Sequence, residues 1–181
     1  MTISLNQFFS GLIGVPSWNV RKGHGSFVTF EFGSPSIEIS PMRPTKTTPE
    51  FPSSQERTVA VHGEWHLWIY CCAWEASQEG TSVSHDESSD KAIDTACRVL
   101  DGQAIKEIQI NHKSKETIFT FDLGGRLVTR PYDDEVLEQW HLYCPDGKVF
   151  TFRSDGKYSF ENEECPSEEE QWAEFEDPTA A

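Results

Sequence analysis

The segment Phe27-Val28-Thr29-Phe30-Glu31-Phe32-Gly33 returns as Ile118-Phe119-Thr120-Phe121-Asp122-Leu123-Gly124, and its flanks return in the same order. A helix-like stretch ending Leu12-Ile13-Gly14 precedes the first copy, and one ending Leu100-Asp101-Gly102 precedes the second. Downstream, Glu64-Trp65-His66-Leu67 is answered by Gln139-Trp140-His141-Leu142. Three blocks in one order point to a duplicated unit rather than to shared strand grammar. The expected fold is α+β and predominantly antiparallel β. Two similar halves, each a helix with about four meandering strands, would pack about a pseudo-twofold axis into one body. The halves would span 1–75 and 88–161, joined by a linker at 76–87, with an acidic tail at 162–181 beyond the body 1–161. A groove between the halves is then the default binding place.

Leu5, Phe8, Phe9 and Leu12 follow the i, i+3, i+4, i+7 pattern and predict a helix capped by Ser4 and ended by Gly14. Ile93, Ala96, Cys97 and Leu100 predict a second helix, opened by Ser89 and closed by Gly102. Strands are expected at 26–33 and 37–40, and Val59–Trp74 reads as the strongest, bent at Gly63 and buried at its centre. Four prolines between Pro41 and Arg57 make that stretch a surface loop. Six further strands are expected at about 104–111, 116–123, 126–131, 138–143, 147–153 and 157–161, separated by turns such as Gly124-Gly125 and Pro145-Asp146-Gly147. The Glu-rich segment 163–181 reads as disordered or as a short appended helix, with Trp172 and Phe175 able to dock on a partner or on the body.

Charge narrows the partners. The net charge is −15, of which residues 161–181 carry nine acidic groups and no basic one, leaving −6 for the rest. Such a surface repels phosphate backbones, which excludes nucleic acid, and it speeds encounter with basic proteins. Five cysteines cannot all pair and lack the spacing of a disulfide framework, which indicates a reducing compartment. The apolar stretch Phe8–Val15 lacks the basic start and cleavage site of a signal peptide. No run approaches the roughly 18 apolar residues of a membrane span. The expected location is the cytoplasm, with no membrane partner.

One cluster carries ligand chemistry. In His62-Gly63-Glu64-Trp65-His66, strand alternation places His62, Glu64 and His66 on one face, and with His141 these are the candidate metal ligands. The wet face of an antiparallel strand carries such residues without an ion, so the leading expectation is no metal and no cofactor. Trp68 and Tyr70 share the face of His66, and together with His141 and Tyr143 they form the candidate binding surface. Cys71 and Cys72 point to opposite faces and read as inert thiols; Cys144 near His141 gives no defined nucleophile geometry, and Asp133-Asp134-Glu135 reads as turn chemistry. Phosphate-binding glycine loops, the G-x-S-x-G elbow and the H-E-x-x-H helix do not occur in the sequence. The expected function is therefore non-catalytic: a cytoplasmic protein-binding or inhibitor-type protein, an immunity-like antagonist of a basic toxin or nuclease. The alternatives are a small-molecule or metal-binding module in the groove between the halves and an enzyme of unrecognised class.

Overall fold

Alternating Phe, Trp and β-branched residues fold this chain into seventeen short strands and one helix among its described residues, which in the computed structural model are 2–44, 55–132 and 135–175. In chain order the strands of the first half are β1 (Thr2–Ser4), β2 (Ser17–Lys22), β3 (Val28–Phe32), β4 (Ser36–Ile39), β5 (Arg43–Pro44), β6 (Gln55–Glu56), β7 (Val59–His62), β8 (Trp65–Ile69), β9 (Ala73–Gln78) and β10 (Thr81–His85). Helix α1 (Asp90–Leu100) is followed by β11 (Ile105–Asn111), β12 (Thr117–Phe121), β13 (Gly125–Arg130), β14 (Glu138–Tyr143), β15 (Lys148–Arg153), β16 (Lys157–Asn162) and β17 (Ala173–Glu174). One sheet has six strands in the order β1-β11-β12-β13-β9-β10, and the other has seven in the order β17-β16-β15-β14-β8-β3-β2. All pairings are antiparallel.

The two sheets share one aromatic core. Phe30 stacks on Phe121 at 6.0 Å between ring centroids, and Phe119 meets Trp140 edge-on at 5.4 Å. All four rings are buried, each removing enough apolar surface from water to be worth about 2–3 kcal/mol. Helix α1 packs on β2 and β10, an edge strand from each sheet, and buries the expected Ile93, Ala96, Cys97 and Leu100. Ser89 caps it by accepting the Ala92 N–H.

Several expectations are corrected. Residues 6–14 form successive turns, not a helix, and of the expected apolar stripe Leu5, Phe9 and Leu12 are buried while Phe8 is exposed. The Leu5 N–H bonds the Ile108 carbonyl and the Gly14 N–H bonds that of Ile105. These anchors lie three residues apart on β11, about 10 Å along a strand, whereas a helix over 5–14 rises about 13 Å. Val59–Trp74 is not one strand: it breaks at Gly63 into β7 and β8, and again at Tyr70–Cys72 where the chain leaves one sheet for the other. Residues 76–87, expected as a linker, hold the end of β9 and all of β10, because β9 is an interior strand with Trp74 and Ala76 facing the core. Of the Pro41–Arg57 loop, residues 43–44 and 55–56 pair as β5 and β6, and 45–54, with Pro49 and Pro52, lie outside the described residues.

Neither half is a sheet of its own. Residues 17–69 supply β2, β3 and β8 to the seven-stranded sheet, then cross over to supply β9 and β10 to the other. After α1, strands β11, β12 and β13 lie in the six-stranded sheet, and the chain crosses back for β14, β15 and β16. Trp65 and Trp140 consequently lie in neighbouring strands of one sheet, where Leu67 faces Leu142. The expected groove between halves is filled by the core rings. The tail folds back as far as Phe175: β17 pairs with β16, Phe175 stacks on Tyr158 at 4.5 Å, and Arg153 lies over the Trp172 ring at 3.9 Å.

Strands β4 and β7, continued by β5 and β6, form a two-stranded arm that extends the β3–β8 pair beyond the sandwich. Its root depends on Gly63, where an added Cβ would run into the Phe32 backbone. Gly63→Ala is expected to lower the unfolding free energy by about 1–3 kcal/mol in urea denaturation, the usual cost of forcing atoms into packed structure. An unchanged midpoint would mean that the two backbones do not pass so closely.

Candidate functional site

Period-two alternation assigns the faces of the seven-stranded sheet. Phe30, Phe32, Leu67, Ile69, Trp140, Leu142, Phe150 and Phe152 point into the core, so Thr29, Glu31, His66, Trp68, His141, Tyr143 and Thr151 must face outward. Register then builds two rows across the strands. Glu31 faces His66, which faces Tyr143; Thr29 faces Trp68, which faces His141, which faces Thr151.

The expected binding residues therefore meet. Trp68 lies 4.7 Å from Tyr70 and 5.5 Å from His141 between ring centroids, Tyr70 is 5.3 Å from His141, and His66 is 5.5 Å from Tyr143. Phe27 joins this patch at 4.8 Å from Tyr70. His141 shares a hydrogen bond with the Thr151 hydroxyl at 3.1 Å through Nδ1. Burial, helped by the charge of His66, pushes its pKa down to about 4, which leaves it a neutral ring at neutral pH. Burial also raises the Tyr143 hydroxyl, with Glu163 and Glu138 adding to the effect.

The metal candidates divide differently from the expectation. His62 and His66 converge, but their partner is Glu31, not Glu64 or His141. Glu31 Oε1 lies 2.8 Å from His66 Nδ1 and 3.6 Å from His62 Nδ1, while its other oxygen accepts the Gly63 N–H at 2.9 Å. The Glu31 side chain is fully buried. Burial pushes its carboxyl up, yet the His66 bond, the Gly63 N–H and the charges of His66 and His62 outweigh it and hold the pKa below the usual value. Glu64 is turned away because the break at Gly63 disturbs the alternation, and its carboxylate accepts the Ser34 N–H at 3.1 Å. A signal for Glu31 existed in the sequence: a carboxylate between Phe30 and Phe32 must face outward on an interior strand.

A cavity of about 600 Å³ opens over this cluster, walled by Ile37 and Glu38 of the arm, by Trp68 and Tyr143, and by Glu163 of the tail. Elsewhere the five cysteines are free thiols; burial, with Asp146 adding, pushes that of Cys144 up to about 12, and burial lifts Cys72 further. No helix among the described residues is long and apolar enough to cross a membrane. Asp133 and Asp134 lie outside the described residues. Neither a known protein family, nor a curated protein, nor a solved structure matches this chain.

His141 sets a pH dependence. Its folded pKa lies below the ordinary 6.5, so between about pH 6.5 and 4 the unfolded chain binds the proton first and stability falls as pH falls. The loss amounts to about 3 kcal/mol at most, at roughly 1.4 kcal/mol per unit. Denaturation midpoints measured across this window are expected to fall less steeply in His141→Gln; equal slopes would show that the ring is solvated.

Proposed function

We propose that this is a non-catalytic recognition protein of the inhibitor type, acting in the cytoplasm on a basic protein such as a toxin or nuclease. The observation that carries this reading is the arm. Ile37 pairs with Val61 and Ile39 with Val59, so all four side chains lie on one face of a two-stranded ribbon. All four are exposed to solvent: Ile37 is 69%, Ile39 59%, Val59 60% and Val61 44% accessible, and Met42 beyond them is 62%. A two-stranded ribbon is marginal by itself in water, and an aliphatic strip on it is stabilised when another surface covers it.

Charge supports the choice of partner. Glu38 of the arm and Glu163 of the tail line the cavity beside the strip, with Glu161 at the end of β16 and Glu164 and Glu169 along the tail close by. Acidic groups around an apolar strip suit a basic protein, drawing it in electrostatically before the apolar contact forms.

The proposal includes two related halves that have exchanged hairpins. Several parallels support it. The Gly14 N–H bonds Ile105 while the Gly102 N–H bonds Ser17, and Pro16 bridges Ala104 between them. The Trp74 indole donates to the Ser26 carbonyl ahead of β3, and the Trp140 indole to the Thr117 hydroxyl at the start of β12. On this reading Trp140 answers Trp74 rather than Trp65. The arm is then an elaboration of one copy, since the other joins β12 to β13 through a tight turn at Gly124.

Affinity capture from the native host and from basic proteins encoded beside this chain is expected to recover a specific partner. An Ile37→Glu/Val61→Glu variant should weaken that capture at least tenfold, and added salt should slow association. A chain that retains no protein but turns over a metabolite would refute the reading.

A further inference from the structure

The root of the arm carries a donor set that protein recognition does not call for. A carboxylate with no solvent exposure is costly unless a cation compensates it, and here two imidazoles are aimed at it from one side. We propose that Glu31, His62 and His66 bind a divalent transition-metal ion of the zinc class. Imidazole and carboxylate together suit such borderline ions, not calcium or magnesium.

The geometry fits on three counts. One ligand atom from each residue lies within 4.8 Å of the others. Ligands about 2.0–2.1 Å from a tetrahedral ion stand roughly 3.3 Å apart. The Glu31 oxygen is 2.8 Å from His66 Nδ1 and 3.6 Å from His62 Nδ1, so an ion can enter with small side-chain shifts. One orienting bond is present, from the Gly63 N–H to the second Glu31 oxygen, and the exposed Glu38 carboxylate lies 3.6 Å from His62 Nε2, the ring nitrogen away from the cluster, where a small shift would bring it into hydrogen-bond range. A carboxylate behind a ligating histidine orients the ring and raises its basicity.

Three protein ligands leave coordination open, and the open side faces the cavity of about 600 Å³ beneath Ile37, Trp68 and Tyr143. Water or a small anionic ligand would complete the shell there. The ligands also straddle the hinge of the arm: Glu31 is on β3 and His66 on β8, both in the sheet, while His62 ends β7 in the arm. The bound ion therefore ties the arm to the body and sets its angle. The site stands on its own geometry, apart from the recognition reading.

Zn²⁺ titrated into the chelator-stripped full-length protein, followed by calorimetry and by competition with a chromogenic chelator, is expected to show one ion per chain with submicromolar affinity. His62→Ala and His66→Ala should each weaken binding at least a hundredfold, and Glu38→Gln about tenfold. Glu64→Gln and His141→Gln, outside the cluster, should leave it unchanged. Hydrogen exchange of residues 36–39 and 59–62 should slow on adding Zn²⁺ to the wild-type chain but not to His62→Ala, a half-exposed position whose loss the fold tolerates. Binding that is weaker than micromolar, or equal in the two histidine variants and the wild type, would overturn the site. Neither outcome bears on partner capture, and Ile39→Glu/Val59→Glu, on the same apolar strip but outside the cavity lining, should bind Zn²⁺ normally.

Discussion

Phe30 stacked on Phe121 is the contact on which the outer face depends. Because strand side chains alternate, burying Phe30 and Phe32 inside the sandwich leaves Glu31 only the outward direction. Register with β8 then sets it opposite His66, and the next strand sets Tyr143 opposite His66 in turn. A slip of one residue in β3 would drive a carboxylate into the aromatic core and expose two phenylalanines, a change far costlier than any surface contact could offset. The core thus fixes the chemistry of a face that it never touches.

The exchange of strands between sheets has a second consequence. Each sheet is built from both parts of the chain, so the interface between parts is the hydrophobic core itself, with a cavity of about 490 Å³ at its edge beside Phe8, Phe9, Trp65 and Phe160. The two outer faces differ: Glu75, Ser77, Thr120 and Arg126 line the one on the six-stranded sheet, where Arg130 pairs with Glu116 at 2.6 Å. Short polar side chains and paired charges suit solvent. Trp68, Tyr70, Phe27 and His141 on the other sheet form a half-buried aromatic surface bordered by the arm and the tail.

Periodicity made much of this legible. The six strands from Ile105 to Asn162 fall within a residue or two of the expected ranges, because each is bounded by glycine or turn residues. The aromatic patch was legible too, since His66 and Trp68 alternate on β8 and Tyr70 continues the same spacing just past its end. Pairing across distant strands was not. Nothing local states that β8 lies between β3 and β14, and without that neighbour relation Glu31 cannot be matched to His66. The stretch 5–14 misled for a related reason: its apolar spacing satisfies a helix, but hydrogen bonds to β11, a hundred positions away, decide its shape. Glu64 misled because a strand break at Gly63 shifts the alternation that would have placed it beside the histidines.

The arm and the cluster at its root answer opposite demands. A ribbon with exposed aliphatic side chains needs freedom to meet a partner, yet flexing at its root would add an ordering cost to every encounter. The glycines at the hinge supply the close backbone approach, with Gly33 at a positive φ of 78° that other residues adopt only with strain and Gly63 packed against Phe32. Beside them, His62 on the arm reaches Glu31 on the body. That contact spans 3.6 Å beside the cavity, so under the proposed metal site an ion held between the two side chains would stiffen the arm. On the proposed reading, recognition through the arm would be coupled to whatever occupies its root by His62 alone, without any rearrangement of the sandwich.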